Sequence, residues 1–124
     1  MRGIIVFAHG SRVESANEAV RSVAAELARV SGDRVEAAFL ELGQPDLEGA
    51  AARLVEAGAE RITVIPYFLT LGLHMERDLP PLVAKISNTY SGLPIAVTPP
   101  LDGHPALVQA LLDRALSARH STNT

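Results

Sequence analysis

Apolar segments of strand length alternate with amphipathic helical segments four times along this chain of 124 residues. The predicted strands cover residues 3–8, 34–41, 61–65 and 95–98. Continuous apolar runs of this kind are typical of parallel strands that are buried on both faces of a sheet. The alternation therefore predicts an α/β fold, in which a four-stranded parallel sheet lies between helices as a three-layer α/β/α sandwich.

Residues that commonly begin or end helices mark the limits of the predicted helices. In the first helix, apolar residues recur every three or four positions from Val13 to Val30, and Gly32 is expected to end it. We expect residues 1–119 to form one domain and residues 120–124 to fray. The candidate caps at the helix starts are a capping box of Ser11 with Glu14 or of Ser15 with Glu18, then Asp46, Asp78 with Pro80 and Pro81 in the first turn, and His104.

Composition and charge exclude several classes of protein. The chain has no cysteine, so it has neither disulfides nor thiolate metal ligands. Its formal net charge of -3 argues against general nucleic-acid binding, which usually needs a surplus of basic residues. No apolar run reaches the roughly 20 residues of a membrane helix, and the N-terminal run lacks the features of a signal peptide. These features predict a cytoplasmic protein with no membrane or nucleic-acid partner.

Ionisable residues that follow the predicted strands fall on one edge of the sheet. His9 follows the first strand, Glu41 ends the second, and His74 and His104 lie in the loops after the third and fourth. Open parallel sheets bind ligands beyond the carboxyl ends of their strands, so this edge is the expected site. Structural alternatives exist: His9 could bond a backbone carbonyl, Glu41 could be a solvated strand end, and His104 could cap a helix. His120, in the tail, is expected to be inert.

The segment after the third strand is unusually apolar for a loop. No Gly-rich phosphate-binding loop is present anywhere in the chain. Arg12 and Arg77 lie beside the same loops and are candidates for binding anionic groups of a ligand. Four apolar side chains could belong to the core or could line a pocket, and the pocket is favoured: Phe68, Leu69, Leu71 and Leu73.

Four motifs are spread over nearly the whole chain: Ala8-His-Gly-Ser-Arg12, Glu41-x-x-x-Pro45, Val64-x-Pro-Tyr-Phe-Leu-x-x-Gly-x-His74 with Asp78-x-Pro80, and Pro100-Leu-x-Gly-His-Pro105. Together, and in this order, they resemble the short-form sirohydrochlorin chelatases of the CbiX type. The resemblance implies ATP-independent insertion of cobalt, nickel or ferrous iron into a sirohydrochlorin-type tetrapyrrole, in cobalamin or siroheme synthesis. It implies that no cofactor is consumed, which agrees with the missing phosphate loop.

The resemblance also implies roles for individual residues. His9 and His74 would be the metal-handling pair, and Glu41 matches the family's acidic position, as a proton acceptor or as a ligand. Neutral imidazole suits cobalt, nickel and iron, and two imidazoles leave coordination positions open for the ring nitrogens. Longer chelatases of this group carry two such lobes in one chain, so this single-lobe chain is expected to act as a homodimer. Substrate contacts are expected from Arg12, Arg77, Phe68 and Leu69.

Other functions use some of the same residues. A protein that carries metal or tetrapyrrole without turnover would need the same site, so this alternative stays open. Phosphoryl transfer through His9 is disfavoured, because only Arg12 lies near it in sequence to hold a phosphate. A serine hydrolase built on Ser11 is disfavoured by the missing Gly-x-Ser-x-Gly elbow. The chain also lacks a histidine-rich insertion, so no metal-storage loop is expected.

Overall fold

The four apolar segments form one parallel sheet in the computed structural model, which describes residues 1–118. The spatial order of the strands is β2-β1-β3-β4, and all three neighbouring pairs are parallel. The predicted frayed tail, with His120, lies outside the described residues. The strands are β1 (Arg2–Ala8), β2 (Arg34–Phe39), β3 (Arg61–Pro66) and β4 (Ile95–Val97).

Helices cover both faces of this sheet. Alternate side chains of a strand point to opposite faces, so Val6 faces one layer and Phe7 the other. On one face, α1 packs Val20 and Ala24 into a cluster with Val6 and Phe39. On the opposite face, residues of α2 and α3 share a larger cluster with Phe7 and its neighbours. This arrangement confirms the predicted three-layer sandwich. The helices are α1 (Glu14–Ser31), α2 (Leu47–Glu56), α3 (Leu73–Thr89) and α4 (Pro105–Ser117).

The first two helices begin in different ways. The capping box predicted for α1 is wrong, because Val13 is the N-cap residue and no side chain caps the helix. Ser11 instead accepts a hydrogen bond from the Val13 amide through its hydroxyl, at 3.0 Å. The prediction for α2 is confirmed: the carboxylate of Asp46 accepts from the Gly49 amide at 2.8 Å.

The start of α3 differs from the prediction. Asp78 does not cap this helix, because α3 begins at Leu73 and contains both Pro80 and Pro81. An interior proline costs about 3 kcal/mol, whereas full burial of an aliphatic side chain contributes about 1.5–3 kcal/mol. Leu79 and Ile86 are each 3% exposed, and their burial on the sheet offsets the cost of the prolines. As a result, His74 lies in the first turn of a helix and not in a loop.

The last helix, α4, has the expected cap but almost no burial. Nδ1 of His104 accepts a hydrogen bond from the Ala106 amide at 3.0 Å, which confirms the capping prediction. No residue of α4 is buried in the part of the chain that the structure describes. Four large apolar side chains on α4 are exposed: Val108, Leu111, Leu112 and Leu116.

None of the described helices combines the length and apolarity needed to cross a bilayer.

Candidate functional site

β1 and β2 end side by side, and this brings His9 to Glu41. Ala8 lies opposite Phe39 at the last register position of the pair. Beyond it, the Leu40 amide donates to the Ala8 carbonyl at 2.9 Å, and the Glu41 amide donates to the His9 carbonyl at 3.1 Å. Nε2 of His9 lies 3.2 Å from Oε1 of Glu41, with both side chains more than half exposed. The prediction that Glu41 ends the second strand is wrong. β2 ends at Phe39, and Glu41 lies in the loop between β2 and α2.

The contact between His9 and Glu41 controls which ring nitrogen is free. A carboxylate only accepts hydrogen bonds, so a neutral His9 paired in this way carries its proton on Nε2. Nδ1 then keeps its lone pair, which can bind a metal ion or accept a proton. A carboxylate placed in this way also holds the orientation of an imidazole ring that binds a metal. The pair can therefore act in metal binding or in proton transfer.

Gly10 allows the two loops of this pair to approach closely. Its φ of +96° lies in the left-handed region, which side chains rarely tolerate. A Cβ at this position would lie 1.6 Å from the carbonyl oxygen of Glu41. The His-Gly pair in the sequence therefore has a steric cause as well as a chemical one.

A buried polar residue that the sequence motifs do not indicate joins the two loops of this pair. Asn17, in the first turns of α1, is only 1% exposed. Its side chain bonds the backbone of Ser11, in the loop after β1, and of Leu42, in the loop after β2. A further hydrogen bond, to Glu14, is longer at 3.4 Å, and bonds from Arg21 and Asn17 lower the pKa of Glu14. The detectable signal was an asparagine on the apolar stripe of an amphipathic helix.

His74 is paired with an arginine in the same helix. Nη2 of Arg77 lies 2.9 Å from Nδ1 of His74. A guanidinium only donates, so Nδ1 must be the acceptor and the proton of the neutral ring sits on Nε2. Neither nitrogen then offers a free lone pair to a metal ion. His74 can bind a metal in this rotamer only after Arg77 has left Nδ1.

The two predicted metal-handling histidines project from the same edge of the sheet. His9 directly follows β1, and His74 lies in the first turn of α3, the helix that follows the neighbouring strand β3. Within residues 1–118, no hydrogen bond or ion pair joins His74 to His9 or Glu41. In the same range, no three or more His, Asp or Glu side chains are grouped so that they could hold a metal ion. The binding of one ion by His9 and His74 therefore stays a prediction.

The apolar residues of the β3–α3 segment divide between core and surface. Phe68 packs edge-on against Phe7, with ring centroids 6.3 Å apart, and is half-buried against the core. Leu69 and Leu73 are 64% and 82% exposed. Leu71 lines an open apolar groove of about 520 Å³ between α3 and β4. The segment therefore presents apolar surface close to His74, although Phe68 also has a structural role.

The remaining candidates have more limited contacts. Arg12 is exposed in the loop that precedes α1. Arg77 is 70% exposed, and its Nε lies 4.0 Å from the carboxylate of Asp78. His104 uses Nδ1 to cap α4, so that nitrogen is not available to a ligand.

Comparison with known proteins places the chain in a family. Residues 3–118 match the family model described as CbiX. The chain belongs to the CbiX family. This CbiX protein is 34% identical over 113 residues to the chloroplastic sirohydrochlorin ferrochelatase of Arabidopsis thaliana, a match that covers 90% of this chain and 50% of that one. It is 33% identical over 118 residues to the sirohydrochlorin cobaltochelatase of Sulfolobus acidocaldarius, a match that covers 95% of this chain and 93% of that one.

Solved structures of similar proteins share the fold of this CbiX protein. A CbiX protein from Marinobacter aquaeolei VT8 superposes with a TM-score of 0.82 and 28% identity, covering 94% of this chain and 95% of the other. The sirohydrochlorin chelatase SirB from Bacillus subtilis subspecies spizizenii, solved in complex with cobalt, superposes with a TM-score of 0.82 and 29% identity. This match covers 93% of this chain and 50% of SirB. The chain thus corresponds to nearly all of some relatives and to half of others. The family resemblance predicted from the four motifs is confirmed.

Proposed function

We propose that this CbiX protein inserts a divalent metal ion into a sirohydrochlorin-type tetrapyrrole without ATP, in cobalamin or siroheme synthesis. The observation that carries the proposal is the His9–Glu41 pair, at 3.2 Å, on the carboxyl edge of a CbiX domain whose relatives are named sirohydrochlorin chelatases. The metal is a substrate and not a resident cofactor. Cobalt is the expected ion, and iron and nickel are alternatives because they share its preference for imidazole.

Metal insertion is an exchange that suits an imidazole–carboxylate pair. The ion gives up water ligands, and two pyrrole N–H groups of the ring lose their protons. With Nε2 of His9 held 3.2 Å from the Glu41 carboxylate, His9 can offer the lone pair of Nδ1 to the ion or to a ring proton. His74 would be the second imidazole. Two protein ligands leave positions open for the ring nitrogens, so the ion can be released into the macrocycle.

Arg77 links substrate binding to the state of His74. Its Nη2 lies 2.9 Å from Nδ1 of His74 and occupies that nitrogen. A sirohydrochlorin-type ring carries peripheral carboxylates, which match the fork of a guanidinium better than a neutral imidazole does. We therefore expect Arg77 to transfer to a substrate carboxylate and free His74 for the metal. Arg12 would hold a second carboxylate.

Apolar surface near His74 would contact the face of the ring. Leu69 is 64% exposed and available for this contact. Phe68, half-buried against Phe7, would support the loop and present one edge to the ring. Leu71, in the groove wall, would extend the same surface.

The proposal includes a homodimer in the cytoplasm, with residues 1–119 as one domain in each copy. The exposed apolar side of α4 supports this, because isolated surface helices rarely leave four large apolar residues uncovered. The match to SirB also supports a dimer. This chain corresponds to 50% of SirB, so a second copy would correspond to the other half. We propose that a second copy of this chain covers α4.

The dimer is tested by the mass of the protein in solution. Leu111→Glu places a charge on the apolar side of α4 and should lower the mass measured by light scattering from that of a dimer to that of a monomer. Ala110→Glu, on the opposite side of the same helix, is the matched control and should stay dimeric. A monomeric parent, or a dimeric Leu111→Glu variant, would remove the dimer from the proposal.

The activity is tested by metallation of sirohydrochlorin, followed by absorbance under anaerobic conditions with cobalt, iron and nickel in turn. His9→Ala and His74→Ala should each lower turnover by at least about 100-fold, as expected when a ligand to the reacting ion is lost. His104→Ala is the matched control, because His104 lies on the same edge of the sheet but uses its ring nitrogen to cap α4. Substrate is kept in excess over protein, so that a stoichiometric carrier would stop after one equivalent. Undiminished turnover without His9 or His74 would refute their roles.

A further inference from the structure

A buried amide ties together the two loops that carry His9 and Glu41. Oδ1 of Asn17 accepts from the Ser11 amide at 2.9 Å, and Nδ2 donates to the Ser11 carbonyl at 2.8 Å. Nδ2 also donates to the Leu42 carbonyl at 2.8 Å. Ser11 lies two residues after His9, and Leu42 directly follows Glu41. One side chain therefore fixes the backbone on both sides of the pair.

The pattern of bonds requires a carboxamide at this position. Two carbonyls need a donor and one amide needs an acceptor, and Asn17 supplies both from a site that is 1% exposed. Aspartate has the same shape but only accepts, so it would set a carboxylate against two carbonyl oxygens. Glutamine would place the same group one methylene further away, in a space closed by Gly43, whose added Cβ would lie 3.1 Å from Nδ2.

The loop after β2 needs this support because its conformation is strained. Leu42 has a φ of 58°, in the left-handed region that residues with a Cβ seldom adopt. Such residues persist when surrounding contacts hold them. The bond from Asn17 to the Leu42 carbonyl is such a contact, and the carboxylate of Glu41 is carried by the neighbouring residue.

We infer that Asn17 is a positioning residue for metal insertion, which holds the β1–α1 and β2–α2 loops together so that His9 and Glu41 stay within hydrogen-bond distance. This inference rests on the proposed function. Asn17 does not touch substrate or metal, because its side chain is buried below the pair. Its contribution is to keep Nε2 of His9 and Oε1 of Glu41 aligned while the ion is exchanged.

The decisive variant is Asn17→Asp, assayed for metallation beside the parent. We expect kcat to fall by at least about tenfold while KM for the tetrapyrrole changes by less than about threefold, because alignment acts on the chemical step and not on ring binding. Leu54→Ala is the control for simple destabilisation, since Leu54 is fully buried on α2 and its side chain lies beside Gly3 at the opposite end of β1. The inference is overturned if Leu54→Ala lowers kcat as much as Asn17→Asp does.

A double-variant comparison separates positioning from general damage. In a Glu41→Gln background the aligned carboxylate is already gone, so Asn17→Asp should lower kcat by less than about twofold further. An equal fold-loss in both backgrounds would mean that Asn17 does not act through the pair. If Asn17→Asp does not fold, Gly43→Ala replaces it, because its Cβ presses on the Asn17 amide and on the Phe39 ring. A parental kcat for that variant would also overturn the inference.

Hydrogen exchange gives a readout that does not need activity. In Asn17→Asp the amides of Leu40 and Glu41, which donate to β1 and its loop, should exchange at least about tenfold faster than in the parent. The Ile62 amide, which donates to Pro94 in another part of the sheet, should be unchanged. If the parent itself fails to metallate sirohydrochlorin, the proposed function fails, but this comparison still decides whether Asn17 joins the loops. Unchanged exchange at Leu40 and Glu41 would refute the role of Asn17.

Discussion

Replacing Gly10 by alanine should disrupt the site more than any other single methyl group added to the loops. An added Cβ would lie 1.6 Å from the Glu41 carbonyl oxygen, and real contacts are not shorter than 3.0 Å, so that oxygen must move by at least 1.4 Å. No side-chain rotation can relieve the clash, because the atom that is met belongs to the backbone. The movement breaks the 3.1 Å hydrogen bond from the Glu41 amide to His9.

The loss of stability caused by Gly10→Ala can be estimated from three contributions. A residue with a Cβ in the left-handed region costs roughly 1–2 kcal/mol, overpacking adds about 1–3 kcal/mol, and a lost hydrogen bond about 1 kcal/mol. We therefore expect Gly10→Ala to lower the free energy of unfolding by about 3–6 kcal/mol, with Tm falling by about 4 °C for each kcal/mol lost. A misplacement of this size should also lower metallation by about 100-fold.

Gly58 provides a matched control for backbone strain. Its φ is +101°, close to the +96° of Gly10, but a Cβ there would meet nothing within 4 Å. Gly58→Ala should therefore cost only about 1–2 kcal/mol, with unchanged turnover. Thermal melts by circular dichroism and the absorbance assay measure both effects. If the two variants lose the same stability and keep the same activity, the steric explanation of Gly10 is wrong.

Three further predictions follow from other contacts. Arg77→Ala should raise the affinity for Co²⁺ without tetrapyrrole, because it removes the donor that occupies Nδ1 of His74; titration calorimetry measures this, and a weaker affinity would contradict the competition. His104→Ala should lower the free energy of unfolding by about 1 kcal/mol, because α4 loses its cap. Denaturant unfolding measures this, and unchanged stability would show that the cap does not stabilise the fold. The pKa of Glu14 is lowered from 4.5 in the folded state, chiefly by Arg21, so its ionised form stabilises the fold above pH 4.5 and ceases to do so as the pH falls through the lowered folded value. The difference in Tm between the parent and Glu14→Gln should accordingly shrink as the pH is lowered below 4.5; a constant difference would argue against the pairing.

Local patterns were sufficient for most of the fold. Strand-length apolar runs placed the four strands correctly to within two residues at each end, because burial on both faces leaves little room for polar residues. Asp46 and His104 were identified as caps because capping depends on neighbours in sequence. The start of α3 was misplaced because Pro80 and Pro81 are locally unfavourable inside a helix, and only the burial of Leu79 and Ile86 on the sheet offsets that preference.

The site was only partly accessible from the sequence. The motifs identified the carboxyl edge of the sheet and the family, but not the order of the strands. The contact between His9 and Glu41 exists because β2 lies beside β1 in a register that ends both strands together. Nor could the sequence assign a role to Asn17, since its three backbone partners come from two loops that meet only in the folded chain.

The sequence by itself determined the kind of fold, the family and the residue types available for handling a metal ion. These depend on composition and on spacing along the chain. The tertiary structure alone decided that Nε2 of His9 lies 3.2 Å from the Glu41 carboxylate, that Arg77 occupies Nδ1 of His74, and that the apolar side of α4 is left uncovered. Each of these depends on distances between groups that the chain brings together, or keeps apart, only when the helices have packed on the sheet.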